Sequence, residues 1–388
     1  MNQLLAAWVW LIPNLLFAGI VDTISIESKV FGGLREVYVH LPDDMEFHSD
    51  LVRLPVIYVL DGQHEWFVNP VTDDIRYLQY TYEIPRGITV VIPHQDRMAE
   101  CAIGKGLDTN EPLPLFTFIT SELEEYLEPY RPNAYRLIIG HSLSASFALY
   151  AYQRGNGFFT SVIAHSPMDH LDDLFREFHD HPNLGVDRVS ISTGGVEHDK
   201  DLFHREAFEK VASRYPEIRS RMTVYEADGV AHNAVPIVSN PMLLSKLFYS
   251  FSRRFGQIAQ VDAEYRLVGQ PDDPAVELGK IIQASTLGPY RYAPEIGEIF
   301  GLASRYQNSG FMEQAIAVYE VGLTYYPKLI DLYLSLYPLY LEQDEQLARN
   351  CLLKAYALIG NGPEPDPEMD ALKEEIGTEI RNKGWSTD

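Results

Sequence analysis

The sequence has little cysteine and little positive charge. Its 388 residues include two cysteines, Cys101 and Cys351, which match neither a disulfide framework nor a metal-binding spacing, and we expect both to be buried and inert. Acidic residues outnumber basic ones by 55 to 31, so the formal net charge is −24. Such a charge repels phosphate backbones and anionic lipid surfaces and also favours solubility. Nucleic acid is therefore not expected as a partner.

The amino terminus is apolar but carries no charge of either sign. A secretory signal cleaved near Ala18 would explain residues 1–20, although the segment lacks a basic start and places the bulky Leu16 three positions before the cut. The alternative is a segment that packs on the folded domain. Pro13 and the modest length argue against a stable membrane span. We expect a periplasmic or secreted protein, with a cytoplasmic one as the alternative.

Apolar residues make up 46% of the chain, which is enough to bury a sizeable core. In the first two thirds, β-rich apolar runs alternate with helical patterns. The first two runs alternate polar and apolar residues, which favours antiparallel strands, and the later ones are continuous, which favours central parallel strands. This alternation predicts the α/β class with a mostly parallel eight-stranded sheet. The eight predicted strands are residues 22–28, 36–42, 56–60, 88–92, 136–140, 161–165, 188–192 and 222–227.

After about residue 257 the strand signal ends and helical patterns continue to the C-terminus. Eight residues in this tail have the spacing of a tetratricopeptide helix pair, and a second unit is degenerate. The chain therefore divides into residues 1–20, an α/β domain at 21–256 and a helical extension at 257–388. Since about three repeats are needed for independent stability, we expect the tail to pack on the α/β domain. The residues at this spacing are Leu302, Ala303, Tyr306, Gly310, Ala315, Tyr319, Gly322 and Pro327.

Ser142 occupies a turn between the fifth predicted strand and a predicted helix. The sequence there is Gly140-His141-Ser142-Leu143-Ser144, which lacks the second glycine of the G-x-S-x-G motif. Small residues beside the serine let helix and strand approach closely, and Gly140 and Ser144 meet this requirement. The position is that of a nucleophile elbow in an α/β-hydrolase fold. We predict that Ser142, rather than Ser144, is the nucleophile.

A serine hydroxyl needs a base that takes its proton and a carboxylate that orients the base. His232 follows the eighth predicted strand by a few residues, in a loop rich in glycine and alanine. Glu197 and Asp199 follow the seventh strand, and either could be the orienting acid. The resulting chain order of serine, acid and histidine is that of the α/β-hydrolases.

Backbone amides must also stabilise the oxyanion that forms during acyl transfer. We expect one from Leu143, directly after the nucleophile. The second is expected from the loop after the third strand, from Gln63 or alternatively Gly62. Three aromatic residues near this loop could line a substrate pocket, and ordinary core packing is the alternative for them. They are Trp66, Phe67 and Tyr80.

Several segments together resemble the serine esterases of the esterase D and siderophore-esterase type, some of which hydrolyse enterobactin-like trilactones. The resemblance spans roughly residues 22 to 255 and implies an α/β-hydrolase fold, a small-molecule ester substrate, an acyl-serine intermediate and neither cofactor nor metal. The family pattern also favours Glu197 as the acid. Relatives have glycines where Ser144 and Ala145 stand, which leaves the natural substrate open. The segments are VIYVLDGQ (56–63), VIPHQDR (91–97), GHSLSASFALY (140–150), SVIAHSP (161–167) and DGVAHNAV (228–235).

Two other functions are alternatives for the same residues, and the sequence does not separate the first of them from an ester hydrolase. An acyltransferase would form the same acyl-enzyme and pass the acyl group to an alcohol instead of water. A helical-repeat interaction protein could carry an inactive hydrolase domain, but the presence of serine, histidine and acid argues against it. For the tail, we expect its aromatic residues to cover the hydrolase pocket, and binding of a protein partner is the alternative.

Overall fold

The computed structural model describes residues 20–109, 111–195, 200–360 and 366–386. Residues 1–19 of the predicted signal segment and both candidate acids, Glu197 and Asp199, lie outside this described part, whereas Ile20 begins the first strand. The location of the protein therefore stays a prediction. Within the described ranges, no helix combines the length and the apolar character that a membrane crossing requires.

The core of the α/β domain is an eight-stranded sheet with the strand order β1-β2-β4-β3-β5-β6-β7-β8. The pairs β1–β2 and β2–β4 are antiparallel, and all other pairs are parallel. The predicted α/β-hydrolase sheet is thereby confirmed, since each predicted strand overlaps an observed one. The strands are β1 (Ile20–Ser28), β2 (Gly33–Leu41), β3 (Leu54–Val59), β4 (Ile88–Val91), β5 (Pro132–His141), β6 (Ser161–His165), β7 (Val189–Thr193) and β8 (Thr223–Glu226).

Helices cover both faces of the sheet. Successive residues of a strand point to opposite faces, and the central strands carry apolar side chains on both, so both faces need cover. On β3, Tyr58 contributes to one apolar core, and its neighbours Ile57 and Val59 contribute to the other. The central strands are therefore buried on both sides, which explains their continuous apolar runs. The helices of this domain are α1 (Glu65–Tyr80), α2 (Arg97–Cys101), α3 (Gly104–Thr109), α4 (Pro114–Thr117), α5 (Leu123–Leu127), α6 (Leu143–Arg154), α7 (Leu171–Asp180), α8 (Lys200–Ala212), α9 (Pro216–Arg221), α10 (Val235–Leu247) and α11 (Tyr249–Ser252).

The described residues of the tail form six helices and one short hairpin. Helix–turn–helix units are present at the predicted repeat, and Gly322 shows why a small residue is needed there. A Cβ added to it would lie 2.9 Å from a methyl carbon of Ile299 on the preceding helix. The elements of the tail are α12 (Pro274–Ala284), β9 (Thr286–Leu287), β10 (Tyr290–Arg291), α13 (Ile296–Asn308), α14 (Met312–Tyr325), α15 (Ile330–Leu341), α16 (Glu345–Leu358) and α17 (Pro367–Asn382).

The tail packs against the α/β domain at the amino ends of β3 and β4. The Ser49 amide, shortly before β3, donates to the carbonyl of Tyr325 at 2.7 Å. The Arg86 amide, shortly before β4, donates to the carboxylate of Glu295 at 3.1 Å. Tyr326 is fully buried beside His48, with 5.5 Å between ring centroids. The predicted packing of the tail on the α/β domain is observed. That the tail depends on this surface for its stability stays a prediction.

Candidate active site

Ser142 lies in a strained turn between β5 and α6. Its backbone has φ 61° and ψ −117°, a conformation that residues with a side chain rarely adopt. Gly140 makes the turn possible, because a Cβ at this position would lie 2.4 Å from the carbonyl oxygen of Ser144. The amide of Ser142 donates to the carbonyl of His165 on β6 at 2.8 Å. This strand-turn-helix has the geometry of a nucleophile elbow.

The two serines of the turn differ in what their hydroxyls contact. Ser144 is fully buried, and its Oγ donates to Asp61 Oδ2 at 2.6 Å. Ser142 remains 9% exposed, and its Oγ donates only weakly, to the sulfur of Met168 at 3.2 Å. Thioether sulfur is a weak acceptor that an incoming substrate or base can replace. Ser142 is the hydroxyl of this turn that a substrate can reach.

The loop after β8 brings His232 to the elbow. The ring of His232 lies against His141, the residue before Ser142, with 4.4 Å between ring centroids. The carbonyl of His232 accepts a hydrogen bond from His141 Nε2 at 3.1 Å. Nδ1 of His232 lies 3.1 Å from Nδ1 of His204 on α8. Among the residues described, the hydrogen-bond acceptor of Ser142 Oγ is Met168 rather than the His232 ring, and such catalytic bonds often tighten only when substrate binds.

His141 is a neutral imidazole at the centre of this cluster. Burial, followed by the nearby rings of His232 and His165, lowers its pKa to about 3. A neutral ring can donate one proton, and the bond to the His232 carbonyl uses it at Nε2. His141 thus links the elbow directly to the loop that carries His232.

The loop after β7 lies beside the loop of His232, although the candidate acids themselves are outside the described residues. The amide of Gly195 donates to the carbonyl of Val230 at 3.2 Å, and the amide of Gly229 donates to the carbonyl of Gly195 at 3.0 Å. These bonds join the ends of the two loops directly before residues 196–199. The choice between Glu197 and Asp199 stays a prediction.

Two backbone amides near Ser142 are available as donors. Leu143 begins α6, and within the described ranges neither its N–H nor that of Gln63 has a hydrogen-bond acceptor. The alternative donor Gly62 is wrong, because its N–H already donates to the carbonyl of Ile92 at 3.0 Å. The side chain of Gln63 anchors this loop by accepting a hydrogen bond from the His94 amide at 2.8 Å.

Of the three aromatic residues proposed for a pocket, one lies at the site. Trp66 is 45% exposed, and its ring stands edge-on to His141 with 5.4 Å between centroids. Phe67 is fully buried in the core beneath His141, so a pocket role is wrong for it. Tyr80 is also wrong, because it ends the 16-residue helix α1, about 20 Å along the axis from Trp66.

The expected cover of the site by the tail is wrong as well. The elbow, the Gln63 loop and the His232 loop follow the carboxyl ends of β5, β3 and β8. The tail contacts the amino ends of β3 and β4, the opposite edge of the same sheet. The repeat pattern indicates that an apolar surface needs a partner, but not which edge of the domain supplies it.

Comparison with known proteins shows where the chain belongs. The profile of the family described as "Putative esterase" matches residues 28–229. A search of curated proteins found no match. Among solved structures, an uncharacterised protein from Capnocytophaga ochracea aligns with a TM-score of 0.55 and 16% identity, covering 92% of this chain and 100% of its own. An IroE-like serine hydrolase from Shewanella oneidensis aligns with a TM-score of 0.55 and 15% identity, covering 78% and 98%.

These structural similarities concern the fold, and the family match covers the elbow and most of the sheet. A small molecule that contains an ester is the substrate class that the family implies. The chain belongs to the esterase family and is an enzyme that hydrolyses esters.

Proposed function

We propose that this protein is a serine carboxylic-ester hydrolase that works through an acyl-Ser142 intermediate. The observation that carries the proposal is the strained turn at Ser142, which presents a weakly bonded hydroxyl next to the loop of His232. His232 takes the proton of Ser142 as Oγ attacks the ester carbonyl carbon, and the amides of Leu143 and Gln63 bind the oxyanion. Collapse releases the alcohol, which receives the proton from His232.

The second half of the reaction uses the same groups in the same roles. His232 takes a proton from water, whose oxygen attacks the acyl carbon, and collapse returns the proton to Ser142 as the acid product leaves. Glu197 is our proposed orienting acid, with Asp199 as the alternative. His141 supports the arrangement by fixing the carbonyl of His232.

The exposed side chains around the site favour a bulky apolar or aromatic ester. Trp66 and Met168 are each 45% exposed and contact His141 and Ser142, respectively. Phe203 is also exposed and lies against His204, the neighbour of His232. Large exposed apolar side chains that cluster at one place mark a binding surface. Aromatic siderophore-like esters are one class that would fit such a surface.

A fluorophosphonate probe tests the proposed nucleophile. The full chain is treated with the probe, and mass spectrometry locates the adduct. We expect the adduct on Ser142 alone. An adduct on Ser144, or none on either serine, would contradict the proposal. Product analysis with and without an acceptor alcohol follows, and transfer of the acyl group to the alcohol in preference to water would identify an acyltransferase instead.

A panel of p-nitrophenyl, naphthyl and catechol-containing esters tests the proposed substrate class. We call Trp66, Met168 and Phe203 the apolar rim. We expect Trp66→Ala and Met168→Ala to lower kcat/KM for the large esters about tenfold and to change kcat/KM for acetate esters little, because only large groups reach the apolar rim. Tyr80→Ala is the matched control, since Tyr80 is an exposed aromatic residue of the same helix α1 but far from the site. Equal effects on small and large esters would exclude the rim as a specificity surface.

A further inference from the structure

Ser144, which stands where the G-x-S-x-G motif has its second glycine, is bonded on both sides. Its Oγ accepts a hydrogen bond from the amide of His141 at 2.9 Å and donates to Asp61 Oδ2 at 2.6 Å. A glycine at this position would make neither bond. The hydroxyl therefore connects the end of β5 to the loop after β3.

Asp61 is a buried carboxylate that collects bonds from two elements. It is 1% exposed and accepts from Arg97 Nε at 2.6 Å and from Arg97 Nη2 at 3.1 Å, besides the bond from Ser144. Burial alone would raise the pKa of Asp61, but Arg97 and Ser144 hold it below its usual range. The group is thus a carboxylate at all pH values near neutral.

Arg97 closes the cluster onto the residue before the nucleophile. Its Nη2 donates to the carbonyl of His141 at 2.9 Å, while Ser144 Oγ accepts from the His141 amide. Both backbone polar groups of His141 are therefore held by side chains of the same cluster. The strained φ of Ser142 follows immediately in the chain, and such a conformation persists only where the surroundings enforce it.

We propose that Asp61, Arg97 and Ser144 are positioning residues that hold the nucleophile elbow and the Gln63 loop in register. The inference rests on the proposed function, in which the backbone amides of Leu143 and Gln63 bind the oxyanion. Asp61 lies two residues before Gln63, and Ser144 directly follows Leu143, so the bond between their side chains ties together the two segments that supply the amides. The side-chain amide of Gln63 adds a bond to Asp61 Oδ1 at 3.4 Å.

The expected consequence is a loss in kcat with little change in KM. The oxyanion exists only in the tetrahedral state, so donors that are displaced destabilise the transition state more than the bound ester. A shift of about 1 Å in a catalytic group costs on the order of 100-fold in rate. Substitutions in the cluster leave the side chains of Ser142 and His232 chemically unchanged.

The test compares Ser144→Gly, Ser144→Ala and Asp61→Asn with wild type in the full chain. Ser144→Gly restores the G-x-S-x-G motif, yet we expect it to lower kcat about 10- to 100-fold because it removes the bonds to Asp61 and His141. Ser144→Ala makes the same loss without placing a glycine in α6. The combined variant Asp61→Asn/Ser144→Ala should be hardly slower than the worse single one, because both break the same link.

Two control variants, at the buried Ser161 and the partly buried Glu124, separate positioning from general stability. Ser161→Ala removes a buried hydroxyl that is bonded to Tyr135 at 2.8 Å, at the start of β6. Glu124→Gln changes a partly buried carboxylate that pairs with Arg136 in the middle of β5 and with Tyr58 on β3. Both controls should lower the melting temperature while kcat stays within about twofold of wild type, since neither pair touches the elbow.

The outcomes distinguish this inference from the proposed function. Failure of wild type to label at Ser142 would contradict the acyl-serine mechanism itself. If wild type labels at Ser142 but Ser144→Gly and Asp61→Asn keep wild-type kcat and labelling rates, the positioning role is wrong. It is also wrong if KM rises while kcat is unchanged, or if kcat falls as much in the two controls. A fall in kcat confined to the cluster, at unchanged KM, supports it.

Discussion

The carboxyl and amino edges of the sheet differ in the number of arginines that face each acidic side chain. At the carboxyl edge, beside the site, two buried carboxylates of the described residues each face an arginine that donates two hydrogen bonds, Arg97 to Asp61 and Arg35 to Glu100. Burial alone would raise the pKa of both acids. The arginine bonds outweigh burial and hold the pKa of each carboxylate below its usual range.

At the amino edge, where the tail packs, carboxylates exceed arginines. Arg86 faces Asp43, Asp44 and Glu295, and Arg254 pairs with Glu298 at 2.5 Å. For Glu295 and Glu298 burial outweighs the arginines, and their pKa values rise to about 7. Burial would also raise the pKa of Asp44, but His48 and Arg86 hold it below its usual range. The amino edge therefore contains two acids, Glu295 and Glu298, whose pKa is raised, whereas the pKa values of Asp61 and Glu100 at the carboxyl edge are lowered.

This difference indicates that the two edges have separate roles. The carboxyl edge keeps fixed charges that orient the elbow at any pH near neutral, whereas the amino edge contains acids that change protonation in this range. We infer that substitutions at the carboxyl edge change catalysis, and that substitutions at the amino edge change how firmly the tail is held. Variants at each edge test this separation.

The largest effect is expected at the carboxyl edge, from the nucleophile and its base. Ser142→Ala and His232→Ala should each lower kcat by on the order of 10⁶-fold, because the two groups act as one unit. Melting temperatures should stay close to that of wild type, since neither side chain contributes to the apolar cores. Kinetics of the double variant provide the check, and losses that add would show that the two groups do not work together.

The candidate acids come next in size. Glu197→Gln and Asp199→Asn each remove one charge and keep the shape of the side chain. We expect Glu197→Gln to lower kcat by about 10²- to 10⁴-fold, because the imidazole loses its orienting partner, and Asp199→Asn to change it little. A large loss only for Asp199→Asn would exchange the two roles, and mild losses for both would indicate a serine–histidine dyad.

At the amino edge, removal of the tail should affect folding rather than chemistry. A chain that ends near Phe255 would uncover Tyr135, whose ring packs on Tyr290 of the tail at 5.1 Å, and Phe251, whose ring packs on Tyr292 at 5.4 Å. It would also leave the buried Arg86 and Arg254 without Glu295 and Glu298. We expect poor solubility and exposed apolar surface, measured by dye binding and thermal denaturation.

Any folded fraction of this shortened chain should keep the ester selectivity of the full protein, because the tail lies at the edge away from Ser142. Altered selectivity among large esters would contradict this placement. A soluble, monomeric and fully stable short chain would instead make the tail an independent module, and the tail alone could then be used to capture a protein partner.

The sequence predicts the sheet and the elbow because both depend on local patterns. Continuous apolar runs such as residues 137–139 favour strands that are buried on both faces, and Gly140 is required by the close approach of Ser144. The link between Asp61 and Arg97 was not found from the sequence, since a pairing across 36 positions leaves no periodic signal. The Asp-Gly pair after β3 is the one local hint, and it is equally typical of an ordinary turn.

The direction in which an element runs through the folded protein was the other source of wrong predictions. Tyr80 is close to Trp66 in sequence, but the 16-residue helix α1 carries it away from the site. The repeat spacing in the tail predicts an apolar face and leaves open which surface covers it. Both errors concern where an element points, which local propensity does not determine.

The smallest effect is expected from the titration of Glu295. Its pKa is about 7 in the folded protein, raised mainly by burial and further by Glu298 and Asp44, whereas Arg86 and Arg254 oppose the rise. Its ordinary value of 4.5 applies when the chain unfolds. The folded state therefore binds this proton more tightly, and the stability that it contributes is complete below about pH 4.5 and is lost as the pH rises through about 7.

Replacing the acid by its amide should flatten this part of the pH dependence. The melting temperature of wild type should fall between pH 5 and pH 8, and that of Glu295→Gln should fall less, by an amount equivalent to at most a few kcal/mol, since one pKa unit corresponds to about 1.4 kcal/mol. Asp61 and Glu100 do not contribute in this window, because their pKa values are lowered. Glu375→Gln is the matched control, as it removes one negative charge from an exposed position on α17. If both variants follow the wild-type curve, Glu295 does not titrate near neutral pH, and its raised pKa cannot be part of the contrast between the two edges.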